Sequence, residues 1–152
     1  MVPEVSLYKL QKTSLEHSLP RLLEKIFQAQ KKAVVLFGTP ERLDAFNAML
    51  WTYSQGSFLP HGSSKEGTAE SQPIWLTTIL ENPNEAEILI TVEDQEVNNF
   101  LTFSRCLDIY DGNDPEAEAK ASDRKKKYQA LGCSISMWHQ DEKGAWHEMQ
   151  PN

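Results

Sequence analysis

A buried strand that runs directly into a capped helix constrains the fold of this chain more than any other feature. The strand is AVVLF, Ala33–Phe37, a continuous apolar run typical of strands buried on both faces. The helix follows at once as GTPERLDAFNAMLW, where Thr39 is the predicted N-cap and Pro40 suits the first helical position. One helical face then carries three apolar residues, Leu43, Phe46 and Leu50.

Strand and helix patterns continue to alternate before and after this unit. VSLYK alternates apolar and polar residues like a half-buried strand, and SLPRLLEKIFQAQKK switches to helical spacing. We expect Pro20 in the first turn of that helix, where its missing N–H costs nothing. The inward face of the helix is predicted to hold Leu19, Leu22, Leu23, Ile26 and Phe27. Further strands are predicted at SFL (57–59), IWLTT (74–78), EILITV (87–92) and RCLDIY (105–110).

The last part of the chain predicts a long helix and a β-hairpin. NDPEAEAKASDRKKKYQALG has Asn113 or Asp114 as its cap, Pro115 near its start and Gly132 as its stop. CSISMW and AWHEM are strands around the turn QDEKG, where Gly144 supplies the left-handed residue. The repeated Trp-His pairs place two tryptophans on the buried face of this hairpin. The whole pattern predicts a single domain over residues 1–152, an α/β sandwich with a mainly parallel sheet, at least five strands and three helices.

Composition limits the function. The net charge of −7 repels phosphates, so binding DNA or RNA is not expected as the main function. No apolar run reaches the length of a membrane span, and the N-terminus lacks a signal-peptide pattern, so we expect a cytoplasmic protein. Two cysteines, Cys106 and Cys133, make no disulfide framework.

Motifs for chemistry are weak. The chain has no G-x-G-x-x-G and no phosphate-loop lysine, and GSSKEGT (62–68) is better interpreted as a surface loop, so no cofactor is expected. His61 is the best candidate for acid–base catalysis, but a lone loop histidine is more often structural. The two histidines of the Trp-His pairs, His139 and His147, are too few for a zinc site, which needs about four ligands. The alternative hypothesis is a small α/β enzyme that acts on a phosphorylated substrate around His61 and Lys65.

The run RKKK, Arg124–Lys127, allows two interpretations. Basic residues at the end of a helix that begins with acidic ones match the helix dipole, which is the simpler explanation. The same residues could bind an acidic peptide, with Tyr128 one turn after Arg124 on the same face.

Four stretches resemble the chi subunit family of bacterial DNA polymerase III. They are LYKL…LPRLLEKIFQAQKKAVVLFGTPERLDAFNAMLW, NAMLWTYSQGSFLPHGSSKEGTAESQPIWLTT, EILITV…FLTFSRCLDIYDG and DRKKKYQALGCSISMW. The resemblance implies a three-layer, nucleotide-binding-like α/β fold that lacks a phosphate loop. It also implies a non-enzymatic accessory subunit of the clamp-loader assembly, which reaches DNA only through other proteins.

The resemblance further implies two binding surfaces. One would bind the acidic C-terminal tail of single-stranded DNA-binding protein through Arg124, Lys125, Lys126, Lys127 and Tyr128, although Lys125 stands where relatives carry an aromatic residue. The other would bind a psi subunit or a helicase-type partner through Trp51, Phe58, Leu59, Pro60 and His61. For Trp51 and Phe58 the alternative is a buried core pair. The C-terminal hairpin extends past the end of some relatives, and some relatives lack a recognisable psi subunit.

Overall fold

The computed structural model of the chain describes residues 2–52, 60–64 and 67–149. Within these ranges, seven strands form one sheet with three α-helices and a short 3-10 helix at Ala69–Ser71. The helices are α1 (Leu15–Gln28), α2 (Pro40–Trp51) and α3 (Pro115–Ala130). The strands are β1 (Glu4–Leu10), β2 (Ala33–Leu36), β3 (Ile74–Thr77), β4 (Ile88–Val92), β5 (Arg105–Asp111), β6 (Ile135–Gln140) and β7 (Trp146–Glu148). The strand predicted at 57–59 lies outside the described residues.

The sheet is mainly parallel, as the sequence predicts. Its strand order is β3-β2-β4-β5-β1-β6-β7, and every neighbouring pair is parallel except β6 and β7. Strands β2, β3 and β4 are buried at every residue, as expected where helices or loops cover both faces.

Alternate residues of the central strands belong to two separate cores. Val35 and Ile90 pack in the core that contains the apolar faces of α1 and α2. Val34 and Leu89 pack in a second core with Tyr128 of α3. Because successive strand residues point to opposite faces, α1 and α2 lie on one face of the sheet and α3 on the other. The predicted three-layer α/β sandwich is confirmed.

Helix α1 begins earlier than the sequence pattern predicts. Ser14 is its N-cap, and the Ser14 side chain accepts a hydrogen bond from the His17 backbone N–H at 3.2 Å. The expectation that Pro20 lies in the first turn is therefore wrong, since Pro20 is buried inside the helix. Proline has no N–H to give to the Glu16 carbonyl one turn back. The cap at Ser14 and the burial of Leu15 with the later apolar residues of this face explain why the helix starts there despite this lost bond.

The other helix ends agree with their predicted signals. The Thr39 side chain accepts a hydrogen bond from the Arg42 N–H at 3.2 Å, and Pro40 is the first residue of α2. Asp114, one of the two candidate caps of α3, accepts from the Glu116 N–H at 3.0 Å. The predicted inward residues of α2 are buried, namely Leu43, Phe46 and Leu50.

The predicted C-terminal hairpin is also confirmed. Gly144 has φ +84°, in the left-handed region that the turn requires. Trp138 and Trp146 are half-buried against the rest of the sheet. On the other face, His139 and His147 oppose each other with ring centroids 6.2 Å apart.

The described residues also bear on three further features: the cysteines, membrane-spanning helices and metal ions. Cys106 and Cys133 are both free and buried, and burial raises the pKa of each thiol. No helix in the described ranges is long and apolar enough to cross a bilayer. Those ranges also hold no group of three or more His, Cys, Asp or Glu residues suited to a metal ion.

Candidate interaction surfaces

Arg124 of α3 is a buried residue that anchors the helix to the sheet. It is 2 % exposed and donates two hydrogen bonds to Asp108 of β5, from Nε to Oδ2 at 2.7 Å and from Nη2 to Oδ1 at 3.1 Å. A third bond runs from Nη1 to Asp94 at 3.4 Å. Burial works to lower the pKa of Arg124, but the hydrogen bonds and negative charge of Asp108, together with the charge of Asp94, raise the pKa above its ordinary value. Such a two-bond arrangement is the geometry in which arginine binds carboxylates most strongly.

Tyr128 is likewise part of the core. It is fully buried, its hydroxyl accepts a hydrogen bond from the Val97 N–H at 3.3 Å, and its ring lies edge-on to Phe100 with centroids 5.3 Å apart. Burial raises the pKa of this hydroxyl above its ordinary value. The loop that carries Val97 and Phe100 is thus packed against α3.

The sequence proposes Arg124 and Tyr128 as contacts for an acidic peptide, but the structure buries both side chains. Both belong to a helical stripe that starts with Ala117 and Ala121 and points to the sheet. This stripe is visible in the sequence as two small residues followed by Arg and Tyr at intervals of three or four residues. It was missed because an arginine is seldom buried unless a carboxylate lies opposite, and the partner strand is distant in sequence.

The lysines between these residues form the solvent side of α3. Lys126 and Lys127 are exposed, and Lys125 is half-buried. Lys127 Nζ contacts Glu96 at 3.0 Å in an exposed ion pair. Within the described part of the chain, neither Lys125 nor Lys126 takes part in an ion pair. The side of α3 that a partner can reach therefore presents lysine charges without the arginine and tyrosine.

Trp51, at the end of α2, belongs to the second predicted binding surface. Its side chain is 49 % exposed, so it is not a core residue. Its ring lies 4.2 Å, centroid to centroid, from the ring of His61, which is only 2 % exposed. His61 and the half-buried Pro60 belong to a segment held beside β3 through Gly62. The predicted Phe58 and Leu59, and Lys65 of the enzyme hypothesis, lie outside the described residues.

An acidic crevice occupies the place where doubly wound α/β folds bind their ligands. It lies at the carboxyl ends of β1 and β5, from which the chain passes to α1 on one face and α3 on the other. The crevice has a volume of about 600 Å³. Its charged lining comprises two cations, Lys12 and Arg42, and five carboxylates, Glu16, Glu93, Asp94, Asp111 and Asp114.

Ion pairs organise this crevice. Arg42 contacts Glu93 and Glu16, each at 3.0 Å. The Glu16 carboxylate accepts a hydrogen bond from a backbone N–H at the start of α1, and this bond is the main reason that its pKa lies below the ordinary value. The contact with Arg42 lowers the pKa further. The excess of carboxylates opposes the binding of a phosphate here. This cluster was not predicted from the sequence, although the acidic residues directly after two predicted parallel strands could have indicated it.

These features define the chain as an α/β module with a nucleotide-binding-like topology and an acidic crevice at the carboxyl ends of β1 and β5. The family model described as DNA polymerase III chi subunit, HolC, matches residues 2–136. The chain belongs to this family, whose members are accessory subunits of the polymerase. The resemblance found in the sequence is thereby confirmed.

A relative from Rickettsia prowazekii (strain Madrid E) agrees with this assignment. It is named "Probable DNA polymerase III subunit chi" and is 29 % identical over 107 residues. The match covers 70 % of this chain and 65 % of the relative's length.

Proposed function

We propose that this chain is a non-enzymatic accessory subunit of the clamp-loader assembly, without an active site of its own, in the cytoplasm. The match to the chi subunit family over residues 2–136 carries this proposal. In that role the chain binds the acidic C-terminal tail of single-stranded DNA-binding protein, and it binds a psi-type subunit or a helicase partner.

The lysine side of α3 supports the proposal of a tail-binding site. Lys125, Lys126 and Lys127 act as mobile point charges toward an acidic peptide, and we expect micromolar affinity, about −8 kcal/mol. Arg124 and Tyr128 serve this site indirectly, because their buried contacts fix the helix that carries the lysines. Binding through several exposed charges weakens as salt concentration rises.

The exposed ring of Trp51 supports the second partner surface. Exposed tryptophans surrounded by apolar neighbours are frequent anchors of protein interfaces. The contact with the His61 ring holds Trp51 at the end of α2, where Pro60 lies nearby in the chain segment before β3. Phe58 and Leu59 complete this surface in our proposal.

The tail site is tested by calorimetric titration with an acidic peptide that ends in Pro-Phe. Lys125→Glu/Lys126→Glu should weaken binding at least tenfold. The control is Arg21→Glu/Lys25→Glu, which makes the same change of charge on α1, across the sheet. Equal affinity of the peptide for the α3 variant and the parent would show that these lysines do not form the tail site.

The partner surface is tested by capture of a psi-type subunit on immobilised chain. Trp51→Ala should lose the partner, whereas Leu131→Ala, which removes another large apolar residue 48 % exposed, should retain it. Undiminished capture by Trp51→Ala would place the interface elsewhere.

A further inference from the structure

A cleft with an aromatic floor separates α1 from the C-terminal hairpin. Helix α1 leads from β1 toward β2 and so covers the strands on that side of β1. On the same face, β6 and β7 lie beyond β1, and Trp138 and Trp146 of these strands line the cleft opposite α1. The cleft has a volume of about 790 Å³.

Three half-buried rings form the floor of the cleft. Tyr8 and Trp138 lie side by side on the paired strands β1 and β6, nearly parallel at 13°, with centroids 5.8 Å apart. Trp146 of β7 meets Tyr8 edge-on at 5.1 Å. A row of rings that is only partly covered by the protein can accept flat groups by stacking.

The rim of the cleft carries basic side chains. His17, Arg21 and Lys25 follow one another at intervals of four residues on α1, a rise of about 6 Å for each step. Lys143 lies across the cleft, in the hairpin turn. All four side chains are exposed.

Three of these side chains, Arg21, Lys25 and Lys143, are cations that a ligand can contact. Across residues 2–52, 60–64 and 67–149, no ion pair involves Arg21, Lys25 or Lys143. One carboxylate, Glu24, also lines the cleft, and its Oε1 accepts a hydrogen bond from Gln28 Nε2 at 3.3 Å. The cleft is thus locally basic on a chain whose net charge is −7.

We propose that this cleft binds a short segment of single-stranded DNA. Bases stack on aromatic rings whatever their identity, and phosphates bind a groove of basic side chains. Cations repeated at each turn of α1 suit a polymer that carries one negative charge on every unit. An acidic peptide with a single terminal aromatic residue would leave most of these rings and cations unused.

The proposal assigns a direct DNA contact that goes beyond the proposed protein-binding role. β7 and most of β6 lie after residue 136, where the match to the family ends, so the cleft depends on a part of the chain outside that match. The contact is weak, because the rest of the molecule is acidic. Attachment to a DNA-bound assembly raises the effective concentration and makes a weak contact useful.

Fluorescence anisotropy of a labelled oligothymidylate of about ten nucleotides tests the proposal. At about 0.02 M salt we expect a dissociation constant in the range of tens of micromolar, with about three cations giving a slope of log affinity against log salt of roughly −2. Arg21→Glu/Lys25→Glu should lower the affinity at least tenfold. Trp146→Ala, with its fold checked by circular dichroism, should lower it about fivefold to tenfold.

The matched control is Lys125→Glu/Lys126→Glu on the opposite face of the sheet. It should leave DNA affinity within about threefold of the parent while it loses the acidic peptide, so failure of the tail site and failure of the cleft are distinguishable. Three results would overturn the proposal: no binding at low salt, equal losses in both charge variants, or loss of the acidic peptide in the Arg21→Glu/Lys25→Glu variant, which would make the cleft a peptide site.

Discussion

Replacing Arg124 with alanine should strongly destabilise the fold, because it leaves the Asp108 carboxylate buried without its main partner. Asp108 is 1 % exposed, and both of its oxygens accept hydrogen bonds from the Arg124 guanidinium. The third contact matters less, because the Asp94 side chain is 29 % exposed and can be hydrated when the arginine is absent.

Loss of one partner from a buried ion pair costs about 3–5 kcal/mol. In urea, with a slope of about 2 kcal/mol per molar, the unfolding midpoint should fall by about 2 M. The melting temperature should fall by roughly 10 °C for a chain of this size. Urea unfolding followed by circular dichroism measures the first value, and a thermal scan measures the second.

Two further variants identify the cause of the loss. Arg124→Met/Asp108→Leu removes both charges and should recover most of the stability, because apolar residues of similar volume replace buried ion pairs at little cost. Arg124→Lys should fall between the parent and Arg124→Ala, since lysine retains the charge but not the two-bond geometry.

The loss in Arg124→Ala should depend on pH in a defined direction. Burial raises the pKa of Asp108, and the arginine that opposes this effect is gone in the variant. A carboxyl whose folded pKa exceeds its unfolded pKa destabilises the fold as pH rises through the folded pKa. The deficit should therefore shrink at about pH 5 relative to about pH 8. A variant within about 1 kcal/mol of the parent, or a double variant as unstable as the single one, would refute this reasoning.

Two other predictions concern the same core. Tyr128→Phe should cost about 1–2 kcal/mol in urea unfolding, because the buried Val97 N–H loses its acceptor, and unchanged stability would show that another group accepts this bond. Cys106 and Cys133 should react slowly with a thiol reagent at about pH 8 in the folded chain and fast in urea, because both are buried with raised pKa values; rapid labelling of the folded chain would contradict the packing around them.

Local signals in the sequence predicted most of the elements of the fold. Thr39 and Gly144 were predicted from the sequence, and Asp114 was one of two candidate caps, because a cap or a tight turn depends on bonds between residues a few positions apart. The buried strands were recognised from their continuous apolar runs, and the quoted motifs identified the family. Pro20 is the exception, since the preference of proline for a first turn was outweighed by the cap and the apolar face that begin earlier.

Only the tertiary structure decided which of the candidate residues are buried and which remain exposed. The sequence alone does not separate Arg124 and Tyr128 from the exposed lysines beside them. The two residues are buried because Asp108 and Val97 lie opposite them on other elements. The aromatic cleft has the same origin, since pairing of the first strand with the sixth brings Tyr8 beside Trp138. A single sequence states the period of a helix or strand, but contacts between distant segments determine which polar residue has a buried partner and which remains at the surface.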